Sequence, residues 1–293
     1  MKIALITEDR FLLPQPGNAY VENIFLEDQI LASALAESGF GSERVSWSDQ
    51  EVDWSQFDKA IFRTTWDYFD RFEAFKTWLD HTENQVEMIN SPQIIRWNWD
   101  KFYLEELEKK GIAIPPTLFI QAGSGKKLSD FLDLADWKEF ILKPAVGGGG
   151  RHTYRFTRSE SAGLEAIFQS LNQEEGFLLQ AFQETILEKG EASLMVMDGK
   201  FTHAILKKAR SGDFRVQDDF GGTVHPFQPN QEEIDFAMHS ISTLKIKPLY
   251  GRVDIIWAEN GKPLLSELEL IEPELWFRNC PPSAKVLANA LSQ

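Results

Sequence analysis

Three carboxylates near the C-terminus sit on what the pattern predicts to be one hairpin: Asp254 on one strand, Glu267 and Glu269 on the other, with Arg252 beside them. Asn260-Gly261 supplies the positive φ angles of a two-residue hairpin loop. Glu259 then faces Lys262, Asp254 lies opposite Glu267, and Arg252 lies opposite Glu269. Side chains alternate along a strand, so these four share a face, and Val253, Ile255, Trp257, Leu268 and Leu270 make the other face apolar. Carboxylates directly across a ladder repel each other. A divalent cation between them removes the repulsion, and magnesium takes such hard oxygen donors together with water and substrate phosphates. Arg252 could offset charge or hold an anion. The alternative is a solvated charged face, but such faces mix signs more loosely. A bulge would shift the register, yet Glu267 and Glu269 would keep a common side.

A second chemical signal is the run Gly147-Gly148-Gly149-Gly150, which follows the apolar stretch Phe140-Ile141-Leu142-Lys143-Pro144 and precedes Arg151. Consecutive glycines cost conformational entropy and are used where backbone must approach a ligand closely. Amide hydrogens in such a loop suit phosphate oxygens, and Lys143 and Arg151 add positive charge. A mobile hairpin tip is the alternative, but a tip has no need of flanking cations. The spacing is neither that of a Walker A loop nor that of a dinucleotide fingerprint. The five histidines show no metal spacing, there is no G-x-S-x-G elbow, and Cys280 reads as a structural thiol.

These residues need elements to position them. Residues 2–7 read as a buried strand, followed by a loop from Glu8 to Asn18 and a helical pattern through Val21, Ile24, Phe25, Ile30, Leu31, Ala34 and Leu35 that stops at Gly39 and Gly41. Strands are expected near 44–47, 59–63 and 86–89, with a helix near 71–82. Alternating strands and helices predict a parallel α/β unit. Its loops after the strands, Glu8 to Asn18 and Thr64-Thr65-Trp66-Asp67-Tyr68, are either ligand loops or plain connectors. A helix is expected from Ser91-Pro92 to Gly111, then a strand after Pro116, and a polar loop or linker over 121–130. From residue 139 onward, short apolar runs with turns at Asp198-Gly199 and Asn260-Gly261 predict an antiparallel α+β region. The expected fold class is therefore α/β plus α+β. The units are an N-terminal substrate-side domain over 1–92, a central region carrying the glycine loop over 93–178, and a C-terminal region carrying the metal hairpin over 179–293.

Composition narrows the function further. The chain has 293 residues, 43% hydrophobic and 26% charged, enough for several subdomains with a real core. Its formal net charge is -15, which repels nucleic acid phosphates and anionic membranes. A nucleotide can still bind where local cations and a metal reverse the sign. The single cysteine excludes an internal disulfide and fits a reducing compartment. No apolar stretch is long enough to span a bilayer, so the expected location is cytoplasmic.

In order along the chain, Asp100-Lys101, Leu142-Lys143-Pro144, the glycine loop, Leu179-Gln180-Ala181-Phe182, Gly190-Glu191, Gly212-Asp213-Phe214-Arg215, Arg252-Val253-Asp254 and Glu267-Leu268-Glu269 resemble the ATP-grasp superfamily. Within it they resemble the glutathione-synthetase-like branch and the O-ureido-serine cyclo-ligases of cycloserine biosynthesis. The resemblance implies an ATP-grasp fold with an N-terminal pre-ATP-grasp domain, and ATP and magnesium (or manganese) as cofactors. By it, Lys101 and Lys143 would contact ATP phosphates beneath the 147–150 loop. Gln180, Ala181 and Phe182 would hold adenine, largely through backbone groups, and Glu191 would accept from the ribose hydroxyls. Asp254, Glu267 and Glu269 would bind the metal. Arg215 and Arg252 would steady transferring phosphate or a substrate carboxylate. Many members carry Glu-x-Asn where this chain has Glu267-Leu268-Glu269, which adds a negative charge; Glu272-Pro273-Glu274 after it fits the cyclo-ligase pattern better.

The implied reaction is ADP-forming carbon–nitrogen ligation of a small amino-acid-like carboxylate through an acylphosphate. An intramolecular cyclo-ligase, a phosphotransferase to a hydroxyl, and a non-catalytic nucleotide-binding module are the alternatives. The last needs no metal triad. A second copy of the chain, forming a homodimer, is an open alternative as partner.

Overall fold

The computed structural model describes residues 1–210, 212–216 and 221–292. The first unit contains β1 (Lys2–Thr7), α1 (Ala19–Glu37), β2 (Gly41–Ser46), β3 (Lys59–Thr64), α2 (Phe72–Thr82) and β4 (Glu87–Ile89). Its four strands pair in parallel in the order β2-β1-β3-β4. Helices cover both faces, which explains why β1 and β3 read as unbroken apolar runs rather than alternating ones. The strand order reverses between β1 and β3. The loops at their C-terminal ends, beginning at Glu8 and Thr65, therefore flank the crevice where ligands bind in open α/β sheets.

Next come α3 (Pro92–Asn98), α4 (Tyr103–Lys109), β5 (Thr117–Ile120), α5 (Leu128–Leu132), β6 (Glu139–Pro144), β7 (Tyr154–Thr157), α6 (Glu165–Leu171) and β8 (Phe177–Ala181). The helix expected from 92 to 111 is two helices. The chain breaks over 99–102, where the Asp100 carboxylate accepts from the Phe102 amide at 2.9 Å and the Lys101 amide turns to the Ala145 carbonyl at 2.8 Å. This break turns Lys101 inward. The polar stretch 121–130 is not wholly a loop, because α5 starts within it. The second sheet is antiparallel, ordered β5-β8-β6-β7. Since β8 pairs with both β5 and β6, this sheet runs on to Ala181 and residue 178 falls inside one of its strands.

The chain closes with α7 (Thr185–Lys189), β9 (Glu191–Met197), β10 (Lys200–Lys208), β11 (Thr223–Phe227), α8 (Gln231–Ser242), β12 (Tyr250–Trp257), β13 (Pro263–Glu269) and α9 (Pro282–Ala290). The third sheet, ordered β11-β10-β9-β12-β13, is antiparallel. The Asp198-Gly199 turn is the expected two-residue loop: Lys200 faces Met197, and both loop residues have positive φ. Helix α9 returns to the first unit. Leu287, Ala288 and Leu291 share a buried core with Ile3, Leu31 and Leu35, and with Met195 and Tyr250 of the third sheet. The Glu27 carboxylate of α1 adds to this junction by accepting from the amides of Phe277 and Arg278 at 2.7 and 2.9 Å.

Strand β13 lies at a sheet edge, where unpaired backbone groups need partners. Asn98 donates to the Leu268 carbonyl and accepts from the Leu270 amide, both at 2.7 Å. The Leu268 amide donates to the Tyr103 hydroxyl at 2.9 Å, and Asn90 donates to the Leu270 carbonyl at 2.8 Å. Three side chains thus stand in for a missing strand. They lock the backbone from which Glu267 and Glu269 project.

Candidate active site

The hairpin register holds where it matters and fails where it was derived. Arg252 faces Glu269 and Asp254 faces Glu267, as expected, but Ile255 faces Leu265 and Trp257 faces Pro263. The turn is one residue longer than a two-residue loop. The Ala258 amide pairs with the Lys262 carbonyl, and only Gly261 has positive φ. A bulge between Asp254 and Ile255 then takes up one residue on β13. The two offsets cancel at the carboxylates. The bulge also directs Ser266, whose hydroxyl donates to Glu191 at 2.9 Å.

Asp254, Glu267, Glu269 and Arg252 line one cavity with Lys101, Lys143, Gly147 to Gly150, Gln180, Ala181, Phe182, Glu191 and Arg215. All the site residues expected from the sequence therefore come together, from three sheets and the loops between them. Cations occupy the carboxylates. Arg252 forks onto Asp254 at 2.9 and 2.8 Å and also pairs with Glu269. Lys207 bridges Asp254 at 3.3 Å and Glu191 at 2.7 Å, Ser193 donates to Asp254 at 2.5 Å, and Lys101 holds Glu267 at 3.0 Å. Burial opposes ionisation of Asp254, yet Arg252 and Lys207 hold it down to about 2. Glu269 goes the other way. Burial pushes it up to about 8 against the pull of Arg252, with the charges of Glu267 and Asp254 adding to the push.

Among the described residues no group of three or more acidic, histidine or cysteine side chains converges closely enough to hold an ion. Each carboxylate here pairs with a cation instead, Arg252 serving both Asp254 and Glu269. The donor chemistry nonetheless suits a hard divalent ion: three carboxylates project from one sheet face, and the charges of Glu267 and Asp254 add to the burial that pushes Glu269 up.

The glycine loop lies over this face. Gly149 and Gly150 have φ of +54° and +70°, a region that favours glycine. A Cβ on Gly148 would stand 2.8 Å from the Phe69 ring, so this glycine is required by contact with the first unit. The Lys101 ammonium donates to the Gly147 carbonyl. Arg151 lines the cavity, but its guanidinium is taken by Glu175 at 2.7 and 2.8 Å and by Asp70 at 3.3 Å. Lys143 has no hydrogen-bond or ion-pair partner among the described residues. Burial lowers its pKa, and nearby Lys101 adds to that against the pull of Glu267.

In the segment Gln180 to Phe182 two backbone amides are already paired. The amides of Ala181 and Phe182 donate to the carbonyls of Pro116 and Glu139 at 2.9 and 3.0 Å, so neither is open to a ligand. The Gln180 carboxamide is turned to Thr117 at 2.9 Å. Phe182 is held by Arg155, 3.9 Å from its ring centre, and by an edge contact with Phe214. Arg215 forks onto Asp213 at 3.1 and 2.9 Å.

Several residues escaped the sequence reading. Lys207 faces Glu191 across β9 and β10 only because of a bulge at Thr202; the Asp198-Gly199 turn alone would have placed it one residue off. Ser193 joins Asp254 through the pairing of β9 with β12, which no local pattern signals. Tyr68, in the 64–68 loop expected to be either a ligand loop or a connector, and Glu272, in the Glu272-Pro273-Glu274 run, were within that reading, and both line the cavity.

This fold and site define an ATP-grasp enzyme, and the comparisons agree. Residues 100–260 match the family described as "Prokaryotic glutathione synthetase, ATP-grasp domain", and residues 3–90 match "D-cycloserine synthetase DcsG, N-terminal domain". The chain belongs to the ATP-grasp family, as a ligase that forms carbon–nitrogen bonds using ATP and a magnesium or manganese ion. It is 28% identical over 281 residues to the "Cycloserine biosynthesis protein DcsG" of Streptomyces lavendulae, covering 90% of this chain and 92% of that protein. The crystal structure of D-cycloserine synthetase DcsG superposes with a TM-score of 0.88 at 26% identity, over 100% of this chain and 99% of that one. The chain is 25% identical to the glutathione synthetase of Prochlorococcus marinus, over 64% of this chain and 58% of that protein. The D-alanine–D-alanine ligase of Bacillus anthracis shares the fold, with a TM-score of 0.67 at 15% identity over 100% of this chain and 96% of that one. No helix among the described residues is long and apolar enough to cross a membrane.

Proposed function

We propose that this cavity activates a small amino-acid-like carboxylate with ATP and passes the acyl group to a nitrogen nucleophile. The observation that carries the reading is one pairing of groups. A half-buried Lys143, without a hydrogen-bond or ion-pair partner among the described residues, stands beneath a glycine loop, across from a face bearing Asp254, Glu267 and Glu269. A lysine whose charge burial disfavours gains most from an anion, and a triphosphate supplies one. Asp254, Glu267 and Glu269 would hold the divalent ion, which would offset charge on the phosphates. Lys101 and Lys143 would bind phosphate oxygens, and the 147–150 loop would keep water from the activated acyl group. Adenine would lie against Ile141 and Ile256 beside Gln180 to Phe182, which contribute shape and carbonyl oxygens rather than amides. Glu191, steadied by Lys207 and Ser266, would accept from the ribose hydroxyls.

In the reaction the substrate carboxylate oxygen attacks the γ-phosphorus, and ADP leaves. The nucleophile's nitrogen then attacks the acyl carbon, the carbon–oxygen bond to phosphate breaks, and phosphate departs. Arg252 and Arg215 would neutralise charge on the transferring group. The protein's part is positioning and charge compensation, with no covalent enzyme intermediate.

Whole-length similarity to a cycloserine biosynthesis protein favours the intramolecular version, in which an O-ureido-serine-like molecule provides both carboxylate and nucleophile. The test is ADP release with Mg-ATP across a panel of amino acids and O-ureido-serine, with product masses. Condensation adds a second molecule and cyclisation does not. A stable phosphorylated product without free phosphate would make the enzyme a phosphotransferase. No stimulated ADP release with any of them would sink the substrate class. We place the enzyme in the cytoplasm, acting on a free small molecule, from its single cysteine and anionic surface.

A further inference from the structure

Two polar groups face the cavity, both anchored to the first unit, without a hydrogen-bond or ion-pair partner in any other described residue; the Glu272 carboxyl has only its own backbone amide. The Tyr68 side chain is 4% exposed, packed edge-on against Phe69 and tilted on Phe75, and its phenol lines the cavity without a hydrogen bond. The Glu272 carboxyl lines the same cavity. Its backbone is fixed, because the Trp66 indole donates to the Glu272 carbonyl at 3.0 Å and the Tyr250 hydroxyl donates to the neighbouring Ile271 carbonyl at 2.8 Å. Every other carboxylate lining the cavity is already answered by a cation: Asp254 by Arg252 and Lys207, Glu269 by Arg252, Glu267 by Lys101, and Glu191 by Lys207. Trp66 lies two residues before Tyr68, so its 3.0 Å bond to the Glu272 carbonyl brings the two segments together, and Glu272 leads the charges that disfavour ionising Tyr68 once burial has acted.

An ionised Glu272 repels phosphate, and because burial and then the charge of Glu269 push this carboxyl well up, it gains most from a donor that stabilises its charge; Glu272 and the Tyr68 phenol together offer such a donor acceptor oxygens. They match a group that donates N–H bonds. We propose that Tyr68 and Glu272 form the subsite for the nucleophile's nitrogen, a primary amine or like N–H donor, with Glu272 accepting its hydrogen bonds and Tyr68 bounding its orientation. The assignment rests on the ligase reading above and gives it an acceptor chemistry. The two groups come from different units, Tyr68 from the loop after β3 and Glu272 from the segment after β13, so the subsite exists only when the units are docked. It also explains why a loop at the switch point of the first sheet reaches the carboxylate face at all.

The test uses the full chain with Mg-ADP and methylammonium as the probe, which needs no knowledge of the acid substrate. Binding is followed by calorimetry and tryptophan fluorescence, with melting temperature as the check on folding. Wild type is expected to bind methylammonium saturably. Glu272→Gln is expected to weaken it by about tenfold or more, and Tyr68→Phe by a few-fold. Tetramethylammonium, which has the charge but no N–H group, is expected to bind weakly to all three. Mg-ADP affinity and magnesium dependence are expected to stay within about twofold in both variants. Absent methylammonium binding, equal binding by Glu272→Gln, or equal binding of tetramethylammonium overturns the subsite. A loss of magnesium affinity in Glu272→Gln overturns it too, by making Glu272 a metal ligand. If wild type fails to bind Mg-ADP, the ligase reading itself is at fault, which separates the two failures.

Discussion

Asp254 and Glu267 stand directly opposite each other on β12 and β13, yet each turns to a different cation, Asp254 to Arg252 and Lys207 and Glu267 to Lys101. The face is therefore balanced without an ion, and its carboxylates are held apart in readiness. A divalent ion must compete with these pairs. The chemistry should thus be more sensitive than the fold to loss of any one carboxylate.

Glu267→Gln keeps shape and removes one charge. Turnover at saturating Mg-ATP is expected to fall by roughly a hundredfold or more, as for loss of an electrostatic group acting on the transferring phosphoryl. The melting temperature without metal should move little, because the Lys101 ammonium keeps the Gly147 carbonyl. Steady-state ADP release and a thermal melt check both; wild-type turnover would remove Glu267 from the metal set.

Lys143→Ala should weaken ATP binding by about tenfold or more, the worth of a charge-assisted hydrogen bond. Stability without nucleotide should not drop, since Lys143 has no partner among the described residues and burial disfavours its charge. Calorimetric titration with Mg-ADP and a ligand-free melt measure the two halves. Unchanged affinity would remove Lys143 from the phosphate site.

Gly148→Ala places a methyl group against Phe69. The glycine loop should then sit poorly over the site, raising the KM for ATP several-fold with little change in melting temperature. Adding Phe69→Ala should recover part of the loss, because the clash partner is gone. A double-mutant cycle on kcat/KM reads the coupling; additivity would mean that the loop does not dock on the first unit during turnover.

Burial raises the Glu8 carboxyl from 4.5 to about 7, with Asp67 adding to the rise and Arg10 opposing it. The folded state then binds the proton more tightly than the unfolded chain. The contribution of this group to stability is complete below 4.5 and is lost as pH rises to about 7. Melting temperatures of wild type and Glu8→Gln across that window should diverge, the wild type losing more toward neutral pH. Parallel curves would place the Glu8 carboxyl at an ordinary pKa.

What could be read before the fold was known was local or periodic. Parallel first-unit strands showed as apolar runs, the Asp198-Gly199 turn as a dipeptide, and the carboxylate face as alternation along β13. Even the correct Asp254–Glu267 pairing was reached through a turn that is longer than assumed, and it survived because a bulge at Ser266 takes up the difference. Bulges depend on contacts to other strands, so nothing nearby in the chain announces them. The same limit hid the bulge that aligns Lys207 with Glu191.

Residue types and their order determined the family, the glycine loop and the acidic face, because those follow from backbone, hydrogen-bonding and charge requirements expressed within a few residues. Only the tertiary structure decided which charges are already spent. It set Arg151 on Glu175 and Asp70, closed the Ala181 and Phe182 amides into the sheet, and left Lys143 and Tyr68 without hydrogen-bond or ion-pair partners among the described residues and Glu272 with only its own amide. Those outcomes come from packing three sheets and α9 around one cavity. The distances that decide them join residues far apart along the chain, beyond the reach of any local pattern.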